Sequence, residues 1–201
     1  MKKIFCVGDC YTSGLDFIDN KTNYTEFLSK RVKGKYEIMN GGRTMLRMQN
    51  IAEHFDLFLP KEMLKGDVFC IWIGSNDLYM GYKPETVFKN LSLYYNHLIE
   101  EGLNIIVLTL FPRFHSPYIS SIVFDKNRKI YNSLIVNNFE NVVNVAKSSR
   151  LGIKTIKREC CHVNLDGSPE DTEIFEGHIN AVGHKIVADM VYKKMYKIGL
   201  L

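Results

Sequence analysis

Several features that would place a chain in a particular class are absent here. There is no C-x-x-C pair of the kind that holds structural zinc. The five cysteines, Cys6, Cys10, Cys70, Cys160 and Cys161, are odd in number and follow no disulfide framework, so they read as reduced thiols in a reducing compartment. No apolar run is long enough to cross a membrane. The opening Met1-Lys2-Lys3 followed by Ile4-Phe5-Cys6-Val7 imitates a signal peptide, but the run stops at Gly8-Asp9. That is too short for an h-region and reads as a strand of a cytoplasmic protein. The formal charge of +4 is not gathered into a Lys/Arg block, which argues against a nucleic-acid partner. Repeats, low-complexity tracts and linkers are missing as well. What remains is a globular chain of 201 residues, 46% hydrophobic and 24% charged, suited to one domain over 1–201.

Short apolar runs alternate with amphipathic stretches from end to end. Strands are expected at Lys3 to Val7, Tyr36 to Met39, Val68 to Ile73, Ile105 to Leu110 and, more weakly, Ile153 to Ile156. Helices are expected over Thr25 to Val32 and on three stripes. These are Met48, Ile51, Ala52 and Phe55; Val87, Leu91, Tyr94, Tyr95 and Leu98 after Pro84; and Ile135, Phe139, Val142, Val143 and Ala146. A last helix carries Ile186, Val187, Met190 and Val191. Strands alternating with helices predict a parallel sheet covered on both faces, with functional residues in the loops after the strands.

Four segments at those places can carry chemistry. Gly8-Asp9-Cys10-Tyr11-Thr12-Ser13-Gly14 presents a small nucleophile in a glycine-flanked turn, where the N–H groups of the next turn favour a thiolate. It reads equally as a plain β–turn–α junction with a buried cysteine, and its glycine spacing does not fit G-x-G-x-x-G. Asn40-Gly41-Gly42-Arg43-Thr44 lets backbone N–H groups approach a ligand, or is an ordinary glycine turn. In Gly74-Ser75-Asn76-Asp77 the Asn76 amide can donate to a developing oxyanion, while Asp77 reads as an Asx-type cap of the following helix. In Glu176-Gly177-His178-Ile179-Asn180-Ala181-Val182-Gly183-His184, Asn180 reads as a helix N-cap. His178 is then a loop base just before that cap, and His184 is a structural residue within the helix. Together the segments supply a nucleophile, a base and a set of donors, the parts of an acyl-transfer site.

In this order the segments resemble the SGNH hydrolases, also called GDSL-like esterases and lipases, over essentially the whole chain. Gly8 to Gly14 is similar to G-D-S-x-T-x-G with Cys10 at the serine, and Gly42-Arg43-Thr44 to the G-R-T form of the second motif. Gly74-Ser75-Asn76-Asp77 matches G-x-N-D, and His178 to His184 matches H-x-N-x-x-G-H. Tyr131-Asn132, in the helix before the fifth strand, also fits the family pattern. The resemblance implies a flavodoxin-like three-layer α/β/α sandwich with a five-stranded parallel sheet. It implies Cys10 as nucleophile, His178 as base, an oxyanion hole from Cys10, Gly42 and Asn76, and support from Asp9 and Asp77.

Two departures stand out. The first is Cys10 itself. The second is Phe175, which occupies the place of the family's Asp in D-x-x-H. Glu176 is the nearest acid and the expected substitute, with Asp171 and Glu173 close by. A thiol is far more acidic than a hydroxyl, so a Cys–His pair tolerates loss of the acid better than Ser–His does. The implied activity is hydrolysis of an acyl ester through a Cys10 thioester, on a small-molecule substrate, with no cofactor or metal. An acyltransferase or amide-forming ligase using the same thioester is the alternative, followed by a non-catalytic binding module. Pocket candidates are Tyr11, Arg43, Phe111, Arg113 and Phe114. His162 lies beside Cys160 and Cys161, but two adjacent cysteines cannot easily face one ion.

Overall fold

The computed structural model describes residues 1–14, 23–112, 118–152, 160 and 178–201. Five strands form one sheet: β1 (Lys2–Gly8), β2 (Tyr36–Gly42), β3 (Val68–Trp72), β4 (Asn104–Leu108) and β5 (Val142–Val143). Their order is β2-β1-β3-β4-β5, and every neighbouring pair is parallel. The helices between them are α1 (Cys10–Ser13), α2 (Tyr24–Val32), α3 (Met48–Glu53), α4 (Ser75–Tyr79), α5 (Pro84–Glu100), α6 (Ser121–Asn138) and α7 (Ala181–Lys197). Helix α2 packs against α7, whereas α3, α4, α5 and α6 pack among themselves. Two helical layers therefore enclose the sheet, as in a flavodoxin-like three-layer α/β/α sandwich. No helix among the described residues is long and apolar enough to cross a membrane.

The elements follow from their letters. β3 reads Val-Phe-Cys-Ile-Trp, and all five residues are buried, as a central parallel strand covered on both faces requires. Val87, Leu91, Tyr94 and Leu98 line the buried face of α5, which starts with Pro84 in its first turn. Asn23 caps α2 by accepting from Glu26 N at 3.0 Å, and Asn180 caps α7 by accepting from Val182 N at 3.0 Å and Gly183 N at 3.2 Å.

Two expectations need correction. The stripe through Ile135, Phe139, Val142 and Val143 is not one helix. Helix α6 ends at Asn138, and Val142–Val143 forms β5. The backbone N–H groups of Val107 and Thr109 donate to Asn141 O at 3.0 Å and Val143 O at 3.1 Å, so the segment completes the edge of β4. A β-branched pair beside an open ladder gains bonds there that continued helix would forgo. The stripe from Met48 to Phe55 also breaks. Helix α3 stops at Glu53, and Phe55–Phe58 is a separate 3-10 turn. The strand expected at Ile153 to Ile156 lies outside the described residues.

Helix α6 fixes the exits of β3 and β4. Tyr131 Oη donates to Ile73 O at 3.2 Å, just past β3. Asn132 grips Leu110 past β4, accepting from its N–H at 2.8 Å and donating to its carbonyl at 2.7 Å. Arg128, buried and braced by Asp125 at 3.0 Å, adds a second bond to the Leu110 carbonyl at 3.2 Å. These bonds set the chain's departure from the sheet, where the strand order reverses between β1 and β3 and a crevice opens. Asn132→Leu keeps the volume but strands the buried Leu110 N–H, and should cost about 2–4 kcal/mol of stability in urea unfolding. Ser133→Ala, on the exposed side of the same helix, should change stability by less than about 0.5 kcal/mol.

Candidate active site

The site begins where β1 stops. Asp9 is buried and caps α1, its Oδ1 accepting from Tyr11 N at 3.0 Å and its carbonyl from Thr12 N at 3.0 Å and Ser13 N at 2.9 Å. Cys10 is therefore the first helical residue, held in one orientation and only 5% exposed. Its Sγ lies 3.2 Å from His178 Nε2 and 3.9 Å from Asp9 Oδ1. The Asp9 charge opposes a thiolate and an imidazolium would favour one. The histidine is the nearer group, and Asp9 is already engaged by the Tyr11 N–H. His178 is set in place by the residues on its C-terminal side. Ile179 is buried, Asn180 caps α7, and Asn180 N–H donates to Cys160 O at 2.9 Å. His184 is buried within α7, in keeping with a structural reading.

The second motif approaches from β2. A Cβ at Gly42 would lie 2.1 Å from Ser13 N, so only glycine lets this strand end meet α1. The next residue ties the two segments, Arg43 N–H donating to Gly8 O at 2.9 Å. The Gly42 N–H donates to Asn40 Oδ1 at 2.9 Å. Arg43 sends its guanidinium over the Phe58 ring, 4.7 Å from the centroid, so its backbone and not its charge is tied to the nucleophile turn.

The third motif comes from β3. Asn76 is 1% exposed, and its Nδ2 donates to Leu46 O at 3.2 Å, leaving a second N–H of the amide for another acceptor. Asp77 reaches beyond the helix in which it stands. Its Oδ2 accepts from Met48 N at 2.9 Å, capping α3, and its Oδ1 from Gln49 N at a long 3.5 Å. Burial raises the Asp77 carboxyl above the usual carboxylate range, and the Met48 and Gln49 N–H groups partly offset it. By capping α3, Asp77 holds the Leu46–Arg47 segment against α4, and so keeps Leu46 beside Asn76.

Beside Cys10 is an aromatic cluster around Tyr11. Tyr11 is 3% exposed, with its ring 4.7 Å from Phe111, 5.2 Å from Trp72 and 5.7 Å from the His178 imidazole, centroid to centroid. Its hydroxyl lies 3.4 Å from Ser75 Oγ. Tyr11 and Phe111, both expected near a pocket, are buried and packed against each other. Glu176, Asp171, Glu173, Phe175, Arg113, Phe114 and His162 lie outside the described residues. Among the described residues no three His, Cys, Asp or Glu side chains gather where they could hold a metal.

The structure brings in Asn40, Leu46 and Ser75, which the motifs did not single out. Asn40 was readable, since Asn before Gly-Gly favours an Asx turn onto the residue two further on. Leu46 contributes a backbone carbonyl, which no sequence letter reports.

No protein-family model matches the chain, and no curated protein sequence does. Solved structures do. A protein placed in the lipolytic G-D-S-L family from Desulfitobacterium hafniense superposes with a TM-score of 0.74 at 14% identity, covering 96% of this chain and 99% of that one. A lipase/acylhydrolase from Enterococcus faecalis gives 0.68 at 15% identity, over 97% and 95%. An acetyl xylan esterase gives 0.68 at 15% identity, over 95% and 98%. The sheet order, the strand-end site and these superpositions together give this chain the fold of the GDSL, or SGNH, lipolytic proteins and esterases.

Proposed function

We propose that the protein hydrolyses acyl esters through a thioester on Cys10. The observation that carries this reading is the 3.2 Å approach of Cys10 Sγ to His178 Nε2, two side chains 168 residues apart in sequence. His178 takes the thiol proton and the thiolate adds to the acyl carbonyl. The oxyanion so formed is held by the Cys10 N–H, the Gly42 N–H and the second N–H of Asn76. Collapse breaks the ester C–O bond, and His178 returns the proton to the leaving alkoxide. Water then gives a proton to His178 and attacks the thioester, and thiolate and acid separate. Each donor must face the oxyanion at the right moment, and the Gly42 N–H gives up Asn40 Oδ1 to do so. A hydrogen bond to a charged oxygen contributes about 1.5–3 kcal/mol against roughly 0.5–1.5 kcal/mol for a neutral one, so the exchange favours the transition state. Glu176, next but one before His178 in the sequence, is the acid we propose as its partner. Asp9 and Asp77 act as supports, through the α1 cap and the α3 cap.

A cysteine at this position also favours a second reading, transfer of the acyl group to an amine. Thioesters react with amines more readily than oxygen esters do, so the Cys10 intermediate is a better donor than a serine ester. Product analysis with and without an added primary amine separates the two: hydrolysis leaves the carboxylic acid in both, and transfer diverts the acyl group to the amide.

Incubation with p-nitrophenyl esters of short and medium acyl chains, followed by intact-mass measurement, should show one acyl adduct on the native chain and none on Cys10→Ala. No adduct with any ester of the series rejects covalent catalysis. Asn76→Ala should lower kcat by about 100–1,000-fold, the usual cost of one oxyanion donor, and an unchanged rate removes Asn76 from the site. Iodoacetamide should label Cys10 well before the fully buried Cys6 and Cys70, with His178→Ala slowing the reaction. Equal labelling of all three would count against an activated Cys10.

A further inference from the structure

We infer that Tyr11 is a positioning residue that ties the base to the oxyanion side of the site, holding His178 with its ring and α4 with its hydroxyl. The inference rests on the proposed roles of Cys10, His178 and Asn76. The residue after the nucleophile is held at both backbone and side chain. Its backbone N–H is bound by Asp9 Oδ1 at 3.0 Å, and its side chain is walled by Trp72 and Phe111 at 5.2 and 4.7 Å. The ring has one packed place in the cluster. From that place it reaches the His178 imidazole, 5.7 Å away and tilted by 52°.

That contact has a specific consequence in a cysteine enzyme. When the thiol proton has moved to His178, the half-buried ring beside Tyr11 carries a positive charge. A cation within about 6 Å of an aromatic centroid is attracted to the ring's negative face. The imidazole before proton transfer gains much less. Tyr11 therefore favours the thiolate–imidazolium form and limits where the imidazole can turn. Here the family position for the acid is occupied by Phe175. Among the described residues, Asp9 Oδ1 lies 3.9 Å from the sulfur on the same turn.

The hydroxyl acts at the other end. It meets Ser75 Oγ at 3.4 Å, and Ser75 is the first residue of α4, directly before Asn76. Asn76 is already tied to Leu46 O at 3.2 Å. The Tyr11–Ser75 contact adds a link from α4 back to the nucleophile turn, so the oxyanion amide and the base are referred to one side chain.

Three single variants and one double variant separate the two ends. Tyr11→Met fills most of the volume without an aromatic face. It should move the ultraviolet thiolate titration of Cys10 upward by about one pH unit and slow iodoacetamide labelling at neutral pH by about tenfold. Tyr11→Phe keeps the ring, so its titration should match the native protein. Loss of the hydroxyl contact should lower kcat by about 3–10-fold with KM unchanged. Ser75→Ala should do the same, and the double variant Tyr11→Phe with Ser75→Ala should be no slower than either alone. Should Tyr11→Met not fold, Tyr11→Leu is read in the same way for the ring, and the cycle of Tyr11→Phe and Ser75→Ala decides the role of the hydroxyl. A folded Tyr11→Met with native titration and labelling overturns the role of the ring. Additive losses, or none, in the double cycle overturn the role of the hydroxyl. Absence of any acyl adduct on the native chain would instead reject the hydrolase reading, and the thiolate titration distinguishes that failure from this one.

Discussion

A Cβ added at Gly8 would lie 2.3 Å from the Trp72 carbonyl oxygen and 2.3 Å from Thr12 Oγ1, and one added at Gly42 would lie 2.1 Å from Ser13 N. Three backbones thus converge at the end of β1 with no space for side chains between them. Such contact is possible only with glycine on both sides. Its effect is to bring the ends of β1, β2 and β3 within reach of one small group. The nucleophile turn, the Gly42 N–H and, through β3, the Asn76 amide all owe their mutual placement to this closeness. The Asp9 cap and the Arg43 N–H bond to Gly8 then hold it.

Helices on one face of the sheet supply a second level of support. Tyr131 and Asn132 are neighbours on α6, yet they bind different strand exits, Ile73 past β3 and Leu110 past β4. Asp77 reaches from α4 to the start of α3. These groups act by leaving the backbone around the site a single arrangement, since a buried N–H or carbonyl that loses its partner costs more than the bond itself contributes. The donors proposed for the oxyanion are already engaged, Gly42 with Asn40 and Asn76 with Leu46. On the proposed chemistry, one of these bonds is exchanged for a stronger one and the other is kept as an anchor.

Much of this was legible in the letters. The first four strands and the placement of motifs after them follow from short β-rich runs and the parallel-sheet rule. The helix start at Asn180 follows from its capping chemistry. The fifth strand was not legible. Val142 and Val143 continue the spacing of Ile135 and Phe139, and periodicity cannot separate a short apolar pair in a strand from one in a helix. The exposed ladder edge of β4 makes that choice. Asp77 was legible as a capping residue but not as the cap of a helix whose Met48 N–H lies 29 positions upstream, because a carboxylate's local habits do not reveal which distant N–H groups will reach it. Tyr11 and Arg43 were legible only as neighbours of motif residues. Packing sends the Tyr11 ring against Phe111 and the Arg43 guanidinium onto Phe58.

By itself, then, the sequence determined the alternation of strand and helix, the places where glycine had to stand, and which side chains could serve as nucleophile, base and donor. These are local matters, set by side-chain volume, backbone freedom and acid–base character. Only the tertiary structure decided that Cys10 and His178 meet at 3.2 Å, that Asn76 and Gly42 are held by Leu46 and Asn40, and that Tyr11 lies between base and α4. Those distances depend on strand order and register, and on burial that fixes each ring in one packed position. Such properties belong to segments far apart in the chain and have no counterpart in the letters of any one of them.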